Sequence, residues 1–248
     1  MVDLYAPQLP HSCVPVGIPK NDGDAIKLGQ SAGAKLRSMD GIIATASYYP
    51  PEKLIKAILV NSRGERFVAE DSYHGRTGQA ILEQPGTIAY LVMDSETFAY
   101  PEVSRAQHRF VDGWETVPEM EQGLNLPLGS LQKTLAEYNE SARAGADPLY
   151  HKHPDWLQPL DKPPYAAFEV SYSNSFYYYI TLGGIVTDAD TRVLSTDGAV
   201  VPGLFAAGAC VSSISQDGKG YASGLMLGPA SYFGRVAGQN AARANADV

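Results

Sequence analysis

The sequence predicts an α/β fold joined to an α+β segment, on three observations. Gly203-Leu-Phe-Ala-Ala-Gly-Ala-Cys210 reads as an apolar strand that ends in a small-residue turn. Asp217-Gly-Lys-Gly-Tyr-Ala-Ser-Gly-Leu-Met-Leu-Gly-Pro229 reads as a glycine-rich loop that opens a helix. An α/β protein sets backbone N–H groups against a nucleotide or a flavin at such a place. Third, helical periodicity over 114–147 gives way to β patterning after Pro164. The order is unusual. A dinucleotide-binding domain carries its glycine fingerprint near the amino terminus, and no G-x-G-x-x-G follows a strand in the first hundred residues. Two readings follow: a different fold, or the second half of one.

The elements can be justified in order. Residues 1–20 hold four prolines and no period. Asn21-Asp-Gly-Asp24 is a helix N-cap, and Ala25–Leu36 has apolar and small residues at helical spacing. Ile55–Asn61 is a strand, Ser62-Arg-Gly-Glu65 a turn, and Arg66–Glu70 the second arm of a hairpin. Thr77–Glu83 is a short helix and Ile88–Met93 an apolar strand. Pro118–Gln122 and Leu128–Ala142 are helices, the second with apolar residues at 128, 131, 135 and 138. Asp147–Pro164 is a polar, proline-rich loop. Phe168–Ser173, Phe176–Thr181, Gly183–Thr187, Thr191–Leu194 and Leu204–Ala207 are strands, and one long helix runs from Gly224.

Composition bounds the function. A chain of 248 residues with 44% apolar and 19% charged residues is an ordinary globular protein. A net charge of −8 without basic runs argues against nucleic acid or an anionic membrane as partner. No apolar run approaches the roughly 20 residues of a membrane span. Cys13 and Cys210, the second in buried apolar surroundings, read as free thiols of a reducing compartment. With no leader read before Val2, the expected location is cytoplasmic. The five histidines make no metal signature, and His151-Lys-His153 reads as solvated loop.

Several segments together resemble the fumarate reductase/succinate dehydrogenase flavoprotein superfamily. Asn61-Ser-Arg-Gly-Glu-Arg-Phe-Val-Ala-Glu70 resembles its V-N-x-x-G-x-R-F-x-x-E strand-turn. Leu131-Gln-Lys-Thr-Leu-Ala-Glu-Tyr-Asn139, followed by Asp147-Pro148 and Pro163-Pro-Tyr165, is similar to its capping domain. Thr181-Leu-Gly-Gly-Ile185, Arg192-Val-Leu194 and Pro202-Gly-Leu-Phe-Ala-Ala-Gly208 resemble the closing part of its FAD-binding domain. Within the superfamily, Gly220–Pro229 and Tyr232-Phe-Gly-Arg-Val-Ala-Gly238 resemble the 3-ketosteroid dehydrogenases. The Tyr-x-Ser-Gly order at Tyr221–Gly224 is that of the Δ4-(5α) branch. The Δ1 branch places its tyrosine where this chain has Gly220.

The resemblance implies a cofactor, FAD, and a layout. Residues 1–45 and 168–248 would form the second half of a Rossmann-like FAD-binding domain, and 46–167 an inserted capping (substrate) domain. Gly183, Gly184, Ala207, Gly208, Gly224, Leu225, Leu227 and Gly228 would line the cofactor, with the start of the last helix toward the pyrimidine side of the flavin. The competing reading for these glycines is ordinary turn chemistry. The fingerprint-bearing half of the family is absent from this sequence. The expected partner is therefore a second chain, either that half or another copy. Many members also place a glutamate where this chain has Ala209.

Removing two hydrogens beside a ketone needs a donor to polarise the carbonyl, a base for the proton and an acceptor for the hydride. Tyr221 and the backbone N–H of Gly224 are the candidate donors. Ser223 is the candidate proton acceptor or relay, and Tyr73 the phenol beside which a weak serine base becomes effective. The acid-supplying arginine of the fumarate reductases lies in the region of Tyr73. The competing readings are packing for Tyr221, surface for Tyr73, and core-and-surface alternation for Tyr177–Tyr179. The expected substrate is a steroid-like ketone. The alternatives are a fumarate- or urocanate-reductase-like enzyme, disfavoured because the glycine loop offers Lys219 rather than clustered arginines, and a catalytically silent fragment or subunit.

Overall fold

A computed structural model describes residues 1–18, 21–45, 51–102 and 108–246. In chain order its helices and strands are α1 (Val2–Tyr5), β1 (Val14–Pro15), α2 (Asp24–Ser31), β2 (Leu36–Arg37), β3 (Ile42–Thr45), β4 (Ile58–Asn61), α3 (His74–Leu82), β5 (Ala89–Met93), β6 (Arg109–Trp114), α4 (Val117–Gly123), α5 (Ser130–Ala144), β7 (Tyr165–Glu169), β8 (Tyr178–Thr181), β9 (Gly184–Ile185), β10 (Arg192–Leu194), β11 (Val200–Phe205) and α6 (Leu227–Ala246). The chain divides into two compact units, one of Met1–Leu9, Pro15–Ala44 and Tyr179–Val248, the other of Pro10–Val14 and Thr45–Tyr178. A small sheet has the order β1-β8-β3.

The second unit is built on an antiparallel sheet of order β4-β5-β7-β6. Ile58, Val60, Val92 and Ala167 share a core with Met120 of α4, Leu124 directly after it, and Leu131, Leu135, Tyr138 and Ala142 of α5. The α5 residues recur every three or four positions, so one stripe of the helix faces the sheet. A capping box of Thr116 and Glu119 starts α4. The start of α5 is capped from a distance. The buried Glu121 carboxylate accepts from Gly129 N at 2.8 Å, Gln132 N at 3.0 Å and Gln132 Nε2 at 2.9 Å. Burial alone would raise its pKa, but these donors outweigh it and hold the carboxyl below its ordinary value. Gly145, at φ 69°, closes α5.

The first unit packs Ala34, Ile185 and Val193 with Leu36, Val201, Leu204 and Ala206. Its strand pairs β2-β9 and β10-β11 are antiparallel, and Ile185 makes a parallel bridge to Val211. Helix α6 lies against β11 and the 3-10 turn Gly208–Cys210.

Several elements differ from the sequence reading. The helix expected over Ala25–Leu36 stops at Ser31, because Gly33 turns at φ 85° and Leu36 pairs with Ile185. Glu52–Lys56 form a 3-10 turn, so the next strand begins at Ile58. Arg66–Glu70 is not a hairpin arm. It keeps one bridge, Val60 to Arg66, and both charged side chains turn inward. Residues 168–178 pack with the second unit, since Phe168 and Glu169 pair with both β5 and β6. The boundary expected at residue 46 lies outside the described residues. Cys13 is buried, its thiol pushed up to about 11 chiefly by burial, whereas Cys210 is half-exposed rather than buried; both are free.

Candidate functional site

In the first unit the glycine loop is stitched down before it opens. Gly208 turns at φ 81° directly after Ala207, which is fully extended. Ser212 N then donates to Ile185 O at 3.0 Å and Ser213 N to Leu182 O at 2.8 Å. These bonds bring residues 210–212 against Gly184, while Ser38 and Met39 crowd Gly183. A Cβ on Gly183 would lie 2.4 Å from Ser38 O, and one on Gly184 2.4 Å from Cys210 O. The protein's own backbone thus demands glycine at both positions.

Further along, Asp217 Oδ1 accepts from Gly220 N at 2.8 Å, which shapes the turn before Tyr221. Tyr221 is buried, at 6% exposure, while Ser223 and Gly224 are exposed. Gly224 turns at φ 94°, and Gly228 N donates to Gly224 O at 2.9 Å at the start of α6. The structure therefore gathers Tyr221, Ser223, Gly224, Leu225, Leu227 and Gly228 in one stretch. Ala207 and Gly208 adjoin the turn on which α6 packs.

The glycines of this stretch differ from the Gly183-Gly184 pair. Nothing lies within 4 Å of a Cβ built on Gly208, Gly224 or Gly228. Gly208 and Gly224 need glycine for their positive φ. At Gly228 neither backbone conformation nor packing within the chain requires it. Open, side-chain-free backbone at a helix start fits a flat, polar-edged group, and FAD is such a group.

Tyr73 lies in the second unit as the N-cap of α3, half-buried, at φ −53° and ψ 130°. Its carbonyl accepts from Arg76 N at 2.7 Å and Thr77 N at 3.2 Å. Tyr172 and Tyr177 stack at 3.8 Å, fully buried, so Tyr177 belongs to the core.

The residue that sequence reasoning missed is Lys152. His151-Lys-His153 was expected to be solvated, but the Lys152 side chain is fully buried. Its Nζ donates to Ala57 O at 2.8 Å, lies 3.1 Å from Glu70 Oε2 and reaches Tyr138 Oη at 3.4 Å. Three acceptors match the three N–H bonds of an ammonium, and this geometry decides for the charged form although burial lowers the lysine pKa. Arg66 grips Glu70 through two bonds of 2.9 and 2.8 Å and reaches Asp147 Oδ2 at 2.8 Å. Burial would raise the pKa of Glu70, but Lys152, Arg66 and the Leu59 N–H hold it below its ordinary range. The only sequence signal was the pair of charges at Arg66 and Glu70 beside an apolar strand.

Comparison with known proteins decides the family. The model of the family described as "FAD binding domain" matches residues 6–221. The chain belongs to this FAD-binding family. FAD is its cofactor. Among solved structures, this flavoprotein chain is similar to 3-ketosteroid-Δ4-(5α)-dehydrogenase from Rhodococcus jostii RHA1, in complex with 4-androstene-3,17-dione. The identity is 38% and the TM-score 0.85, over 97% of this chain and 49% of that one. It is 31% identical to urocanate reductase of Eggerthella lenta, over 75% of this chain and 31% of the relative. It is also 31% identical to 4-oxocyclohex-2-ene-1-carboxylate 5-dehydrogenase of Sinomonas cyclohexanicum, over 75% of this chain and 36% of the relative. The chain thus spans about half or less of the length of these relatives. Among the described residues no helix is long and apolar enough to cross a membrane, and no His/Cys/Asp/Glu group of three or more has the makings of a metal site.

Proposed function

We propose that this chain is part of an FAD-dependent dehydrogenase that removes two hydrogens beside the carbonyl of a 3-ketosteroid-like substrate. The observation that carries the reading is the loop Tyr221-Ala-Ser-Gly224, in which a buried phenol precedes a positive-φ glycine at the start of α6. The similarity to the Rhodococcus steroid dehydrogenase supports the substrate class.

In this reading the unit containing Tyr179–Val248 is the second half of a Rossmann-like FAD-binding domain, and Thr45–Tyr178 is the capping domain. Ala207, Gly208, Gly224, Leu225, Leu227 and Gly228 hold the cofactor, with Gly183 and Gly184 behind them. Tyr221 Oη and the Gly224 N–H donate to the substrate carbonyl and stabilise the enolate. Ser223, with Tyr73 as its phenolic partner, takes the proton from the carbon beside that carbonyl. Held by these residues, FAD would supply the hydride acceptor that the reaction needs.

A protein partner over α6 belongs to the same reading, either the remaining half of the flavin domain or a second copy. No described side chain of α6 is buried, and Leu227 and Tyr232 are 75% and 65% exposed. Such apolar exposure supports a covered face. A cytoplasmic location rests on the two free cysteines. The Eggerthella similarity favours one second reading, a urocanate- or fumarate-type reductase.

The test of the relay is a double-mutant cycle. Ser223→Ala and Tyr73→Phe should each slow proton removal, and together cost less than their sum, because they act on one proton. Fully additive losses in single-turnover rates would remove the relay.

A further inference from the structure

We infer that Asp217 is a positioning residue for Tyr221: its carboxylate closes the turn that delivers the buried phenol. The inference rests on the reading of Tyr221 as the donor to the substrate carbonyl. Asp217 makes two bonds of this turn. Its Oδ1 accepts from Gly220 N at 2.8 Å, and its main-chain O accepts from Ser215 Oγ at 2.8 Å. A carboxylate that takes an N–H a few residues on folds the chain back without a backbone ladder. Tyr221 follows Gly220 directly, so the bond is made one residue before the phenol.

This clasp stands on fixed ground. Before it, Ser212 N donates to Ile185 O and Ser213 N to Leu182 O. A Cβ on Gly41 would collide with Gln216 O, so residue 216 lies directly against that glycine. Ser215 is buried, and its hydroxyl is held by the Asp217 carbonyl. After the clasp, Gly228 N donates to Gly224 O at 2.9 Å as α6 begins. Residues 217–223 between these anchors set where Tyr221 sits, and the Asp217 bond spans the first half of them. Gly220 is fitted to it. A Cβ there would lie 3.3 Å from Ser215 Oγ and 3.5 Å from Asp217 Oδ1. The two side chains thus close to contact distance on the Gly220 backbone.

Place in the fold separates this role from core packing. Asp217 and Gly220 are exposed, whereas Tyr221 is buried. Loss of an exposed hydrogen bond leaves the fold standing but loosens the turn. Tyr221 has contacts of its own, and Asp217 acts beside them, on the main chain that enters the residue. A donor displaced slightly from an enolate loses transition-state stabilisation before it loses substrate binding.

The experiment uses the flavin-loaded enzyme containing this chain and a 3-ketosteroid. Asp217→Ala should lower the single-turnover rate of flavin reduction about tenfold without raising KM. Asp217→Asn, whose Oδ1 still accepts from Gly220 N, should keep most of the rate. In a Tyr221→Phe background no hydroxyl is left to misplace, and Asp217→Ala should cost less than about twofold more. The flavin band should stay in place in each variant. A wild-type rate in Asp217→Ala beside a Tyr221→Phe defect overturns this inference alone. So does an equal loss from Asp217→Ala with and without the Tyr221 hydroxyl, which a merely structural role would produce. A shifted flavin band, which would put the effect in the cofactor cradle, overturns it as well, and so does an Asp217→Asn rate as low as that of Asp217→Ala. An unchanged rate in Tyr221→Phe removes the donor reading and the inference with it.

Discussion

Tyr221→Phe should slow turnover on the order of a hundredfold, a loss of about 3 kcal/mol of transition-state stabilisation. The substitution removes one hydroxyl and keeps the ring, so the buried packing of Tyr221 is preserved. A hydroxyl that stabilises the enolate is needed far more in the transition state than in the ground state. Turnover and kcat/KM should therefore fall together while KM stays near its wild-type value. The flavin absorption spectrum should not change, because Tyr221 is not among the proposed cofactor contacts. Rapid mixing of the oxidised enzyme with a 3-ketosteroid measures the step directly. An unchanged rate of flavin reduction in Tyr221→Phe returns the residue to a packing role.

The second large effect is on stability. Glu70→Gln should cost about 3–5 kcal/mol, the usual result of breaking a buried ion pair. The substitution is nearly isosteric, but it leaves Arg66 with Asp147 and takes away the carboxylate that the Lys152 ammonium meets. Urea unfolding should show a lower midpoint with an unchanged slope. The sign of the pH dependence follows from the carboxyls. Glu70 and Asp147 both lie below their ordinary values in the folded chain. Their contribution is fully present above the unfolded carboxylate range, about pH 4. It is lost as pH falls through the lower, folded values. The wild-type chain should thus destabilise steeply in acid, and Glu70→Gln should flatten that limb. A wild-type urea midpoint in Glu70→Gln would show that the cluster adds nothing to the fold.

The sequence made some of this legible and concealed the rest for physical reasons. Helix α5 could be read because Leu131, Leu135 and Tyr138 recur at helical spacing, and they are the residues that face the sheet. The strand, glycine loop and final helix could be read because β11, Gly224 and α6 differ sharply in side-chain size. Lys152 could not. A lysine between two histidines in a proline-rich loop has every local mark of surface, and the groups that meet it inside, Glu70 and the Ala57 carbonyl among them, are distant in sequence. The hairpin arm failed for the same reason. Arg66–Glu70 alternates like a strand, but its two charges are held by Asp147 and Lys152 rather than by a ladder. The family resemblance places Gly183 and Gly184 among the cofactor glycines. The structure adds a requirement from Ser38 and Cys210, which no local pattern contains.

The most direct test of ketone dehydrogenation is anaerobic mixing of the flavin-loaded enzyme with substrates, followed through the yellow flavin band. A 3-ketosteroid should bleach the oxidised flavin in a single turnover, and fumarate or urocanate should leave the chemically reduced flavin bleached. An unbleached band with every 3-ketosteroid, together with return of the yellow colour on adding fumarate or urocanate, would contradict it.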